Sequence, residues 1–314
     1  MYSGKEQGMK LRYSGILLTV TASLLTACGG SSSGGSDGTQ NGTGGGTEGG
    51  NGNNAGGGNT AMRELNDTGI VSCGTSAFGT NRLDCSIVNY TAPGSNMSQT
   101  IPHPQDGDQG RDADENDDTD GRAGFSFTKL SDDGSALAAT ATQTDDSWTC
   151  TRDEVTGLTW EVKEGSDSSS PRYYANTFTW YDTNANTNGT NSGTSDGGSC
   201  PSAELDCDTQ SLVTWVNDNG GLCGFTDGWR LPTREELLGL VNFGHIAALS
   251  DPAIDTGYFP WTAEGSLQPT LYWSGSAHAG DATKAWRFYF AERSTTKIAA
   301  AEKSIAMRVR LVHD

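Results

Sequence analysis

Basic residues are few in this chain: 20 Lys and Arg stand against 39 Asp and Glu, a formal net charge of −19 over 314 residues. A field of that sign repels nucleic acid and sulfated polysaccharide unless a basic patch or bound cations intervene, so no nucleic-acid partner is expected. Histidine is scarcer still, with only His103, His245, His278 and His313, scattered along the chain. No His-x-x-x-His pair, Gly-x-Ser-x-Gly elbow or phosphate loop occurs, which removes the hydrolase and nucleotide-binding classes that those motifs carry. A Ser/His/Asp triad is defined by geometry, and sequence leaves one open. No Cys-x-x-Cys pair occurs, so no structural zinc site is expected. Residues 29–60 contain no proline and no Gly-X-Y period, which excludes a collagen triple helix.

What is present at the N-terminus points to export. Lys5, Lys10 and Arg12 form a basic region, Ile16 to Leu25 a short apolar core, and Leu25-Thr26-Ala27-Cys28 resembles a bacterial lipobox. A signal of this shape is removed and is not a membrane span. Cleavage before Cys28 and acylation of its thiol and new amine are expected, leaving the lipid on Cys28 as the membrane anchor; an ordinary secretory signal is the alternative. Gly29 after the cysteine favours, by resemblance to lipoprotein sorting, the outer membrane of the cell envelope, with periplasmic or surface exposure open. Residues 28–62, nearly all Gly, Ser, Asn and Thr, cannot bury enough apolar area to offset their ordering entropy and read as a disordered tether of roughly 30 Å root-mean-square reach.

Removing Cys28 from the seven cysteines leaves Cys73, Cys85, Cys150, Cys200, Cys207 and Cys223. An even count in an exported chain reads as disulfides, with about 15 connectivities possible. The expected set is Cys73–Cys85 and Cys200–Cys207 as local loops, with Cys150–Cys223 as a long staple.

The organisation after the signal (1–27) and tether (28–62) divides into an extension over 63–145, including an acidic loop, and a denser domain over 146–314. Phe125 to Leu130 alternates as a strand, with Phe125, Phe127 and Lys129 on one face. Further strands are expected at Trp148–Thr151, Gly157–Val162, Leu271–Ser274, Ala285–Phe290 and Ala306–Val312. Leu212, Val213, Trp215 and Val216 mark a helix that Asn219-Gly220-Gly221 terminates. A second helix begins at Thr233, whose spacing to Glu236 predicts a capping box, and runs to near Gly244. Pro232 disfavours helix at Leu231 and fixes that start. Two main helices among short strands predict an α+β fold, disulfide-stapled, after the tether.

Cys150-Thr151-Arg152-Asp153 through Val162, then Cys223-Gly224-Phe225-Thr226-Asp227-Gly228-Trp229-Arg230-Leu231-Pro232-Thr233-Arg234-Glu235-Glu236-Leu237, resemble a bacterial family named for the C-terminal domain of the Legionella collagen-like adhesin. Ile254-Asp255, Tyr258-Phe259-Pro260, Tyr272-Trp273-Ser274 and Val309-Arg310 follow in the same order. The family-motif residues are thus Trp229, Arg230, Leu231, Pro232, Thr233, Glu236, Trp273 and Arg310. The Arg-Leu-Pro-Thr core is also similar to formylglycine-generating and sulfatase-modifying enzymes, which implies a C-type-lectin-like domain. Those enzymes need paired reactive cysteines, and this chain's cysteines are read as structural. No catalytic residue is assigned.

Two loops offer oxygen ligands for calcium. Asn116, Asp118, Asp120 and Gly121 begin as an EF-hand loop does, but Phe127 stands where the bidentate Glu belongs. Asp182, Asn184 and Asn186 alternate oxygens, with Thr187 in place of the turn glycine. Solvated acidic loops are the competing reading, and no cofactor is required. Trp160, Trp180, Trp229, Trp273 and Trp286 read as core residues before a sugar-stacking platform. Arg230, Arg308 and Arg310 are expected to pair with acids. The resulting expectation is a tethered outer-membrane lipoprotein that binds an extracellular glycan, matrix or protein ligand and is not an enzyme. A structural envelope lipoprotein is the alternative, and a sulfatase-modifying-like enzyme comes third.

Overall fold

Alternation at Phe125, Phe127 and Lys129 produces the first long strand in a computed structural model of the chain. It describes residues 64–75, 80–114, 118–201, 203, 205–244, 252–262, 271–290 and 297–314. The signal, the tether, Cys28 and His245 lie outside those residues. No described helix is long and apolar enough to cross a membrane.

Strands β1 (Cys73–Thr75) and β2 (Thr80–Leu83) form one antiparallel hairpin, and β3 (Asn89–Thr91) and β4 (Ser98–Thr100) another. A single 3-10 turn, Asp106–Asp108, and helix α1 (Arg111–Asp114) lead to β5 (Phe127–Ser131). Helix α2 (Gln143–Asp146) precedes β6 (Trp148–Asp153) and β7 (Thr159–Glu161), and helix α3 spans Thr209–Asp218. Helix α4 (Arg234–Leu238) is followed by β8 (Leu271–Ala277), β9 (Lys284–Tyr289), β10 (Ile298–Glu302) and β11 (Val312–His313). One sheet has the order β11-β7-β6-β5 and another β10-β9-β8, each antiparallel throughout. The architecture is α+β, built of short antiparallel strands with few helices.

The described residues on both sides of 145/146 fall within one compact unit. β5 is an edge strand of the same sheet as β6, with Leu130 opposite Cys150. Phe125 and Phe127 pack with Trp160, Phe259 and Phe288 in one core, and Leu130 joins Trp180, Trp229 and Trp273 in the other. Asn66 donates to the carbonyl of Gly239 at 3.1 Å and Phe243 N donates to Thr68 O at 2.8 Å, so residues 66–68 bond directly to the segment after α4.

α3 ends as its sequence implies. Asp208 caps it by accepting from Ser211 N at 2.8 Å, and Gly221, with φ +70°, turns the chain out. α4 starts as expected but stops at Leu238, well short of Gly244. The next amides make i→i−3 bonds, Leu240 N to Leu237 O and Val241 N to Leu238 O, and Asn242 N then bonds Ala253 O. Leu237, Leu240 and Val241 are buried in the core, and the tightened turn leads the chain to the Asn242–Ala253 bond.

The expected closing strand over 306–312 is also shorter. Its backbone bonds are divided among partners: Met307 with Phe178, Arg308 with Leu271 and Trp273, Val312 with Arg230. Only Val312–His313 lies in a ladder, against β7. This segment passes from the second sheet to the first and joins them. Cys73–Cys85, Cys150–Cys223 and Cys200–Cys207 are disulfides, the pairing expected from their positions.

Candidate functional site

Four of the five tryptophans weighed as a stacking platform are core residues. Trp160, Trp180, Trp229 and Trp273 are at most 2 % exposed. Only Trp286 is partly exposed, with His278 at 4.9 Å and the Arg234 guanidinium 4.8 Å from its ring. Trp261, outside the sequence motifs, is likewise partly exposed.

Its setting begins with a buried charge cluster. Glu161 is fully buried and accepts from Lys163 Nζ at 2.9 Å, Arg172 Nε at 3.3 Å and Leu311 N at 3.0 Å. Burial alone would raise its carboxyl, but Lys163 and Arg172 more than offset that and hold it below the ordinary glutamate value. Burial pushes the Lys163 ammonium down. Arg172 also donates to Glu164 Oε1 at 2.9 Å and to the Val162 carbonyl at 2.9 Å. The arginine thereby pins the segment that displays the next two side chains, Tyr173 and Tyr174.

Those two rings meet edge to face at 4.8 Å, and Tyr174 stacks on Trp261 at 5.4 Å with planes 28° apart. The Arg308 guanidinium lies 5.4 Å from the Tyr174 ring, and its buried Nη1 has no hydrogen-bond partner. All four side chains are half-buried. A hydrogen bond to Tyr174 and partial desolvation raise the Tyr173 phenol, with Arg308 pulling the other way. Trp261 sits at φ +61°, a left-handed backbone that a bulky residue adopts only under constraint. Its indole N–H donates to Gln143 Oε1 at 2.7 Å, and a Cβ at Gly165 would lie 2.0 Å from the ring. Glycine there lets the indole lie flat over the backbone. The result is an aromatic surface with a cationic rim, drawn from residues 173–174, 261 and 308.

The calcium candidates fare differently. Asn116 lies outside the described residues. Asp118 accepts from Ala123 N at 3.2 Å and Asp120 from the Ser126 hydroxyl at 2.6 Å. These bonds fold the loop so that Phe125 and Phe127 enter the core. Asp182 accepts from Asn184 N at 2.8 Å and Thr187 Oγ1 at 2.5 Å, and Asn184 from Asn186 N at 3.0 Å. The side-chain oxygens of Asp182 and Asn184 thus serve the loop's own turns. A positive charge is nonetheless held there: the Lys303 ammonium donates to the carbonyls of Asn188 at 2.7 Å and Asn191 at 2.5 Å.

The family-motif residues carry structural contacts. Thr233 and Glu236 exchange the two capping bonds, at 3.1 and 2.7 Å. Arg230 pairs with Glu236 and Asp314 as expected. Leu231 packs at the margin of the core and Pro232 is buried. Arg310, fully buried, instead bonds the Glu161 carbonyl at 2.6 Å and Thr262 Oγ1 at 3.0 Å, and Arg308 faces Tyr174, so among the described residues neither has the direct carboxylate hydrogen bond expected. Both stand beside Val309 in a segment whose backbone joins two sheets, and their side chains meet carbonyls and rings before acids.

The model of a family described as the Lcl C-terminal domain matches residues 149–313, and the chain belongs to that family. No curated protein and no solved structure matches the chain.

Proposed function

We propose that this member of the Lcl C-terminal domain family is a surface-tethered outer-membrane lipoprotein whose domain binds an extracellular glycan or matrix ligand through Tyr173, Tyr174, Trp261 and Arg308. The observation that carries the reading is Trp261, held in a left-handed conformation, partly buried and stacked on Tyr174. Strain kept at a surface aromatic serves display better than packing. A stacked ring pair suits the apolar face of a sugar, and the half-buried Arg308 beside Tyr174 places a cation at its margin. The lipid on Cys28 and the tether over 28–62 would present the domain away from the membrane. We assign the domain to the C-type-lectin-like group, in keeping with its short antiparallel strands and disulfide staples. A non-enzymatic role is supported by the bridging of Cys73, Cys85, Cys150, Cys200, Cys207 and Cys223, which leaves no described thiol for sulfatase-modifying chemistry.

The test is a glycan and matrix-protein array probed with the soluble 61–314 fragment, with and without calcium, beside Trp261→Ala and Tyr174→Ala. Ligands lost in both variants support the site. Binding unchanged in both sinks it. A structural envelope role is favoured by a separate observation, the exposure of Leu65, Val88 and Met97.

A further inference from the structure

The hairpin module around Cys73 has almost no core of its own: Cys73, Leu83 and Ile101 are its buried residues, with Cys85 and Tyr90 packed against them. So small a cluster gains much from a staple, of which a disulfide and a metal are two kinds. The Cys73–Cys85 disulfide supplies one. Donors for the other surround it. Cys73 Sγ, a His103 ring nitrogen and an Asp108 carboxylate oxygen all lie within 4.8 Å of one another. The Asp108 Oδ2 atom that contacts His103 Nδ1 is 3.8 Å from the Cys73 sulfur.

These groups are placed by bonds that do not involve the disulfide. Gln105 accepts from Gly74 N at 2.9 Å and donates to Gly74 O at 3.0 Å, which ties the 103–108 segment to β1. Asp108 Oδ1 accepts from Gln105 N at 3.0 Å, fixing the carboxylate so that its other oxygen faces the sulfur and the imidazole. An adjoining cavity of about 410 Å³ is lined by Cys85, Asp84, Asp108 and Asp114, which give a cation an approach of favourable charge.

We propose that in its reduced form the module is a zinc site, with Cys73, Cys85, His103 and Asp108 as ligands. The chain is synthesised with thiols, and a dithiol returns it to that state: two electrons and two protons pass to the protein sulfurs while the dithiol closes to its own disulfide. Zinc then displaces the two thiol protons and takes two thiolates, the neutral imidazole and the carboxylate. That is a four-ligand set of the kind zinc favours. One staple thus replaces the other. The proposal is independent of the aromatic surface.

The test uses the full-length protein, reduced with dithiothreitol, desalted anaerobically and titrated with cobalt(II) and then zinc. One metal equivalent beyond the oxidised protein is expected, with a thiolate-to-cobalt charge-transfer band. His103→Asn and Asp108→Asn should weaken binding about 10–100-fold at an unchanged thiol titre. The double variant Cys73→Ser/Cys85→Ser should abolish the band. Equal metal uptake by oxidised and reduced protein, or a band that survives the double variant, overturns the proposal. So does a reduced protein that unfolds and takes no metal, as followed by near-ultraviolet circular dichroism.

Discussion

Lys303 holds its ammonium 4.2 Å from the centre of the Trp180 ring while donating to two carbonyls of the loop that follows Trp180. The loop's negative ends therefore face a cation supplied by the chain itself. Burial pushes this ammonium below the ordinary lysine value, with Asp182 acting against the shift. Lys303→Met keeps the stem and deletes the charge, leaving the Asn188 and Asn191 carbonyls without this donor. A loss of about 1–3 kcal/mol is expected in denaturant unfolding. Protection of the Gly193 amide, which donates to Asn191 Oδ1, and of the Thr194 amide, which donates to Trp180 O, should fall in hydrogen exchange as well.

The disulfides close loops of very different length. Cys150–Cys223 spans 73 residues and Cys200–Cys207 spans 7. On chain entropy the first contributes about 4 kcal/mol and the second about 2.5 kcal/mol. Guanidinium unfolding of Cys150→Ala/Cys223→Ala against Cys200→Ala/Cys207→Ala checks the order. Equal losses would mean that strain or residual structure in the unfolded chain outweighs loop length.

Glu161 links acid stability to the buried cluster. Its carboxyl is lower in the folded chain than the roughly 4.3 of an unfolded glutamate, so the folded state favours the ionised form. The stabilisation is complete above that ordinary value and is lost as pH falls through it toward the lower folded value. Glu161→Gln removes the carboxylate facing Lys163 and Arg172 and should cost about 3–5 kcal/mol at neutral pH. Melting temperature followed from pH 7 to pH 3 should fall less steeply in the variant.

The cap at α4 is a smaller test. Thr233→Ala removes the acceptor for Glu236 N and should cost about 1 kcal/mol. Glu236→Gln should cost more, because Glu236 also receives two bonds from Arg230, at 2.8 and 2.7 Å. A thermal melt of each variant gives the ranking.

Local chemistry was legible from sequence, and assembly was not. The cap at Thr233 and Glu236, the stop at Gly221 and the alternation through Phe127 each depend on neighbours a few residues away. The early end of α4 depends on Ala253, which receives Asn242 N, and on burial of Val241. β10 carries Ile298-Ala299-Ala300-Ala301, weak in strand propensity, and forms because β9 offers it a ladder. The aromatic surface was hidden for a related reason. Tyr173-Tyr174, Trp261 and Arg308 are far apart in sequence, and Arg172 and Gly165 are what bring them together. An adjacent Tyr-Tyr pair and a Trp after Pro260 were the available signals, and neither has a period or motif to mark it.

Gly165 permits a test of that surface without touching it. A methyl at this position would lie 2.0 Å from Trp261 Cε2 and 2.2 Å from Cζ2, so Gly165→Ala must lift the indole off the backbone. The ring's stack on Tyr174 and its bond to Gln143 go with it, while Tyr173, Tyr174 and Arg308 keep their identities. Overpacking of this kind costs about 1–3 kcal/mol, a loss visible in the melt. If the platform binds ligand, Gly165→Ala should lose the same array ligands as Trp261→Ala while retaining a folded near-ultraviolet spectrum. A folded Gly165→Ala protein that binds as the parent does would show that the position of Trp261 is immaterial to recognition.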